Sequence, residues 1–189
     1  TWENTTSQTF SSNGTIYARL WNGTEFGAIA AGSVTNIDKE APKVDSVQIR
    51  NLTTKGYDIY VLGANDAGSG INRIQFPTWT TANGQDDIQQ NWQTNSIAKG
   101  EMQSDGTTWV YHVNITDHNN EQGEYITHIY AWDNLGNSAC VYTGTINVPK
   151  VAALTSENVK IEYSETNWTK QNVTVTATIQ DSVTGFTLQ

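Results

Sequence analysis

The neighbouring carboxylates Asp86 and Asp87, the histidines His112, His118 and His128, and a set of aromatic residues are the side chains of this sequence that could do chemistry. Two carboxylates hydrolyse a glycosidic bond only when they flank it. Neighbours on an extended backbone point to opposite faces, so Asp86 and Asp87 do not make such a pair. Their oxygens suit another task, accepting hydrogen bonds from sugar hydroxyls. The three histidines fall on different segments, and no serine or cysteine stands in a nucleophile motif. Each is expected at the surface. The sequence therefore predicts no catalytic residue, no cofactor and no metal site, and a protein that is not an enzyme.

The aromatic residues carry more. With Tyr125 facing a core, period-two alternation sends Ile126, His128, Tyr130 and Trp132 to the outer face of their sheet. On an adjacent strand Ile74 and Phe76 then face inward, and Arg73, Gln75, Pro77 and Trp79 face outward. One solvent face thereby gathers Trp79, His128, Tyr130 and Trp132, with Asp86 and Asp87 on its rim. Flat rings beside polar groups match the faces of sugars, so a cell-wall or host glycan is the expected ligand. In the alternative reading, the loop 84–88 folds over Trp79 and buries it.

A face of this kind requires sheets, and the composition supplies them. Hydrophobic residues make up 37% and charged residues 15%, with Val, Ile, Tyr and Trp in short runs between Thr, Asn, Gly and Ser. That balance belongs to a β-sandwich and not to a disordered chain. Period-two runs predict strands at 44–51, 56–64, 72–79, 91–97, 107–114, 125–133 and 138–148. About seven strands is the complement of an immunoglobulin-like sandwich. Between them, Asp66-Ala67-Gly68-Ser69-Gly70 and Asp133-Asn134-Leu135-Gly136-Asn137 read as turns, since neither has the alternating ligand spacing of a calcium loop. Gly123 and Tyr125, just ahead of a strand, match a tyrosine corner, in which the ring packs inward and the hydroxyl bonds upstream backbone.

The ends repeat parts of this pattern. Asn13-Gly14-Thr15-Ile16-Tyr17 has the same turn, tyrosine and alternating strand, followed by a predicted last strand at 32–37. Segments 159–164, 172–179 and 185–189 read as opening strands. The expected organisation is a closing half-sandwich at 1–42, a complete domain at 43–149 and an opening half-sandwich at 150–189. Neither half can bury its apolar face alone, so the halves are expected to complete each other between molecules by strand swapping. Pro42 and Pro149 mark stiff joints, as a stalk requires.

Charge and cysteine content exclude several functions. The net charge is −9 and only 10 residues are Lys or Arg, which disfavours nucleic acid and anionic lipid. No apolar run approaches the ~20 residues of a membrane span, and an export signal is expected upstream. Cys140 is the only cysteine, so packing alone must hold the fold. Sequons such as Asn22-Gly23-Thr24 arise by chance in so Asn- and Thr-rich a chain. For a Lys–Asn isopeptide crosslink, Lys55 and Lys160 are candidates without an identifiable partner.

Several of these stretches are familiar. Gly70-Ile71, Phe76-Pro77-Thr78-Trp79, Gly84-Gln85-Asp86-Asp87-Ile88 and Gly123-Glu124-Tyr125-Ile126-Thr127-His128-Ile129-Tyr130 resemble the group B streptococcal Bsp-like repeat, across about 44–148. Gln89-Gln90-Asn91 before Trp92 departs from the family, which tends to place an aromatic nearer the acidic pair. The ends resemble bacterial Ig-like repeats, whose last strand runs into a joint like Asn36-Ile37-Asp38-Lys39-Glu40-Ala41-Pro42. The resemblances imply a fragment of a secreted or wall-attached multidomain protein of a Gram-positive bacterium. The expected role is a structural and adhesive module, with two alternatives: a pure spacer presenting a distant catalytic or adhesive domain, or an accessory enzyme domain of a wall hydrolase.

Overall fold

Alternating β-branched and aromatic residues, punctuated by glycine and asparagine, leave the chain little option but strands. The computed structural model describes residues 3, 5–94, 96–151 and 158–179. In chain order the strands are β1 (Gly14–Ala18), β2 (Ala30–Val34), β3 (Ser46–Thr53), β4 (Gly56–Leu62), β5 (Ile71–Gln75), β6 (Thr78–Thr80), β7 (Glu101–Met102), β8 (Trp109–Asn114), β9 (Gly123–Asp133), β10 (Ser138–Val148), β11 (Val159–Tyr163) and β12 (Val175–Ile179). Residues 1–149 and 150–189 form separate compact units.

The first unit holds a β-sandwich. One sheet has the order β3-β4-β8-β7; the other has the order β10-β9-β5, with β6 also paired to β9, and all pairs are antiparallel. Tyr57, Ile59 and Val61 from β4 and Val113 from β8 meet Ile74 from β5, Phe76, Tyr125, Ile129 and Ala131 from β9, and Ile146 and Val148 from β10. Aromatic contacts tie the layers together, Tyr57 edge-on to Tyr125 at 5.9 Å and Phe76 stacked on Tyr111 at 5.0 Å. Inside, the hydroxyl of Tyr57 lies 3.2 Å from that of Thr127, which lies 2.9 Å from that of Thr78. Burial raises the pKa of Tyr57, so its hydroxyl keeps the proton this chain needs.

Two predicted strands differ from the structure. The run 72–79 is broken, because Pro77 has no N–H to give the ladder, and β5 and β6 each pair with β9 on either side of it. The described residues of the run 91–97 form turns and a bend, and the edge position beside β8 goes to the short β7 instead. Asn91, which opens the run, has φ of 56°, a left-handed backbone that interrupts regular pairing where it occurs.

Tyr125 is fully buried, and its hydroxyl donates to the carbonyl of Glu121 at 2.7 Å. The pKa of that hydroxyl is pushed up to about 12, first by burial and then by the charges of Asp87 and Glu121, which keeps it a donor. Gly123, at φ 121°, opens the strand that carries it. Tyr125→Phe should lower the unfolding free energy by roughly 0.5–1.5 kcal/mol, the net worth of one hydrogen bond, in a urea titration. An unchanged midpoint would show that the corner contributes nothing.

At the chain's ends are two-stranded ribbons. β1 pairs with β2, and the expected strand at 32–37 is Ala30–Val34. Tyr17 is 60% exposed there, as expected of a half-sandwich that cannot bury its apolar face alone. The physical reason is that a lone ribbon has one layer, with no second sheet for the ring to pack against. In the second unit β11 pairs with β12, leaving Ile161, Tyr163 and Val175 exposed. The strand expected at 185–189 lies outside the described residues.

Candidate functional site

The outer face of the sheet built on β9 is the one that collects aromatic side chains. β9 alternates strictly, with Tyr125, Thr127, Ile129 and Ala131 buried and Ile126, His128, Tyr130 and Trp132 half-buried on the other side. Beside them, however, Ile74 to Thr80 are all buried, the outward-facing Gln75 and Trp79 included. A loop, residues 81–99, covers that part of the face.

Gln75 anchors the covering loop. It is 0% exposed, and its Nε2 donates to the carbonyls of Thr94 at 2.6 Å and Ile97 at 3.2 Å, and also to that of Trp92. The amide of Thr78 donates to Gln89 Oε1 at 3.0 Å, and Gln89 Nε2 donates to the Tyr111 hydroxyl at 3.3 Å. Farther along, the amide of Phe76 donates to the carbonyl of Ala98 at 2.7 Å. These bonds give polar partners to backbone that would otherwise be buried without them.

Asp87 pins the start of the loop. The amide of Thr80 donates to both of its carboxylate oxygens, at 3.1 and 3.0 Å, and Nδ1 of His118 lies 2.9 Å from Oδ2. His118 is 1% exposed and stands edge-on to Tyr125 at 5.2 Å. Nearby, the Thr80 hydroxyl donates to Glu121. Asp86 is exposed, with Asn119 Nδ2 3.4 Å from its Oδ2.

Three expectations are corrected here. Trp79, expected on the open face, is 8% exposed and edge-on to His128 at 4.9 Å, because the loop closes over it as the alternative reading held. Asp87 faces inward to Thr80 and His118, so it does not rim the face with Asp86. His118 is buried and not a surface histidine, since its ring fills the space between Asp87 and Tyr125. His112 does lie at the surface, paired with Asp58 at 2.6 Å. The pKa of Asp58 is lowered: burial opposes this, but hydrogen bonds from Asn51 and His112 outweigh it. Lys160 is exposed and lies 2.6 Å from the exposed Glu162.

What remains accessible is a ledge of half-buried rings. Trp92, on the covering loop, stacks on Tyr130 at 4.8 Å with 29° between the planes. Next to it the guanidinium of Arg73 lies 4.3 Å from the Trp132 ring, and His128 stands 6.4 Å from Tyr130. Burial lowers the pKa of Arg73 and raises that of Tyr130, as partial desolvation does to a cation and a phenol. Trp92 is not among the expected site residues, because the period-two pattern of 91–97 predicts a strand of the sandwich there. Its spacing after Asp86 and Asp87 was the available signal.

A profile described as GBS Bsp-like repeat matches residues 46–146, more than half of the 189-residue chain. The chain belongs to the GBS Bsp-like repeat family. A Bsp-like repeat is a structural module of bacterial surface proteins, and the matched span runs from the first strand of the sandwich into its last. No curated protein matches the chain. Among solved structures, a polysaccharide deacetylase from Bacillus cereus aligns at TM-score 0.39 and 14% identity, over 58% of this chain and 30% of that one. Among the described residues of this Bsp-like repeat, no helix is long and apolar enough to cross a membrane.

Proposed function

We propose that this Bsp-like repeat is a non-catalytic module of the bacterial surface that binds cell-wall or host glycan on the ledge of Trp92, Tyr130 and Trp132. The observation that carries the reading is the stacked, half-buried pair Trp92–Tyr130 beside Trp132 and Arg73. Aromatic rings held rigidly offer a sugar a flat apolar surface at little entropic cost, and the Arg73 guanidinium and His128 supply hydrogen-bond donors at the edge. Asp87 takes no part, being committed to Thr80 and His118 near the start of β9. Against catalysis stands the chemistry of the face, which has neither a paired acid and base nor an activated nucleophile among these residues.

A spacer is the second reading, and the burial of Trp79 favours it. Much of the aromatic surface serves to hold the covering loop. Pulldown on purified peptidoglycan together with a glycan array separates the two. The ledge predicts retention that falls roughly tenfold or more, ~1.4 kcal/mol, in Trp92→Ala/Trp132→Ala. Retention unchanged in that variant, or no binding by the unaltered chain, leaves the spacer.

A further inference from the structure

Resting on the glycan reading of the ledge, we infer that the bound sugar is an acidic one, whose carboxylate docks on the guanidinium of Arg73. Arg73 leans on Trp132, its Cζ 4.3 Å from the ring centroid, and its Nη2 donates to the carbonyl of Gln93, the residue after Trp92, at 3.5 Å. It therefore stands between the two tryptophans that would cover a sugar ring.

The charge on this face selects the ligand. The chain carries −9 overall, yet the ledge has no carboxylate among its cross-strand neighbours. Trp132, Tyr130 and His128 lie opposite Ser138, Cys140 and Thr143 on β10, and the first two lie opposite Arg73 and Gln75 on β5. None of these is acidic. Among the described residues, no carboxylate pairs with Arg73. Every lysine of the chain is exposed, so water and salt screen it, whereas Arg73 is half-buried. Burial lowers its pKa, as happens to a cation that has lost water and gained no negative partner.

Hydrogen-bond geometry decides which anion fits. A guanidinium has five N–H donors in a planar fork. Nε donates to Gln75 Oε1 at 3.1 Å, Nη1 to Asn72 Oδ1 at 3.2 Å and Nη2 to the Gln93 carbonyl. One N–H on each terminal nitrogen is left without a partner among the described residues. Those two donors match the paired oxygens of a carboxylate, and the single cation matches its single charge. The three existing bonds also hold the plane of the group, so little side-chain freedom is lost on binding. A neutral sugar hydroxyl would occupy a donor and leave the charge uncompensated; a carboxylate answers both.

Calorimetric titration of the full chain with matched sugars tests this. One pair, for the wall, is the disaccharide of N-acetylglucosamine and N-acetylmuramic acid with its carboxyl-amidated form; the other, for a host, is sialyllactose with its methyl ester. In at least one pair the acid is expected to bind about tenfold more tightly than its neutral form, and the pair that does so names the source. Arg73→Gln should bring that ratio close to one. Arg73→Lys, which keeps the charge and loses the planar fork, should retain part of it. Equal affinity for acid and neutral form overturns the acidic ligand and leaves the glycan reading in place, as does a preference that survives Arg73→Gln. Failure to bind any of these sugars overturns it too, and the glycan reading then stands or falls by the peptidoglycan pulldown. If Arg73→Gln does not fold in a urea titration, the ratios of the unaltered chain and of Arg73→Lys decide alone.

Discussion

Asp87→Ala should lower the unfolding free energy by roughly 2–6 kcal/mol, because it takes the acceptor away from two buried groups. Alanine would leave the Thr80 amide and the His118 ring nitrogen buried with no acceptor, each costing about 1–3 kcal/mol. Asp87→Asn should cost less, since its carbonyl oxygen still accepts from Thr80. The neighbouring Asp86→Ala should change stability by no more than about 0.5 kcal/mol, because Asp86 is exposed and holds one long contact. Urea titration followed by tryptophan fluorescence reads all three variants. Equal effects at positions 86 and 87 would mean that the Asp87–His118 contact does not hold the loop. The contrast between adjacent aspartates is the useful part, since composition and local charge are nearly the same for both.

That contrast also shows where the sequence stops being legible. Alternation with period two located Gly123–Asp133 and Ser138–Val148 almost to the residue, and put Tyr125, Ile129, Ile74 and Phe76 in the core. It failed at Gln75 and Trp79 for a definite reason. Alternation separates inside from outside only where one face meets water, and here the loop at 81–99 supplies a second inside. Gln75 then captures three carbonyls of the segment 91–97, whose own residues are compatible with a strand but whose backbone bonds go to a side chain. The burial of His118 depends on contacts between distant segments, which no local spacing encodes.

Phe76→Ala should cost about 3–5 kcal/mol, the range for removing a buried aromatic ring from a core. Its ring is fully buried, and it is stacked on Tyr111 of the opposite sheet with 8° between the planes. Truncation therefore opens a cavity between the two layers. The space cannot close by simple collapse, because a polar network around Gln75 and Gln89 fixes the strand on its other side. The converse change is expected to fail too: a Cβ at Gly100 would lie 2.5 Å from Phe76 Cε2, so alanine there must displace the ring. Phe76→Leu, which retains most of the volume, should recover a substantial part of the loss. If the urea midpoint falls while the slope stays constant, the cost lies in packing and not in a changed denatured state. A loss below about 1 kcal/mol for Phe76→Ala would contradict a core that joins both sheets at this ring. The ledge would then rest on a sheet held by its hydrogen bonds alone, with little to keep Trp92 and Tyr130 at stacking distance.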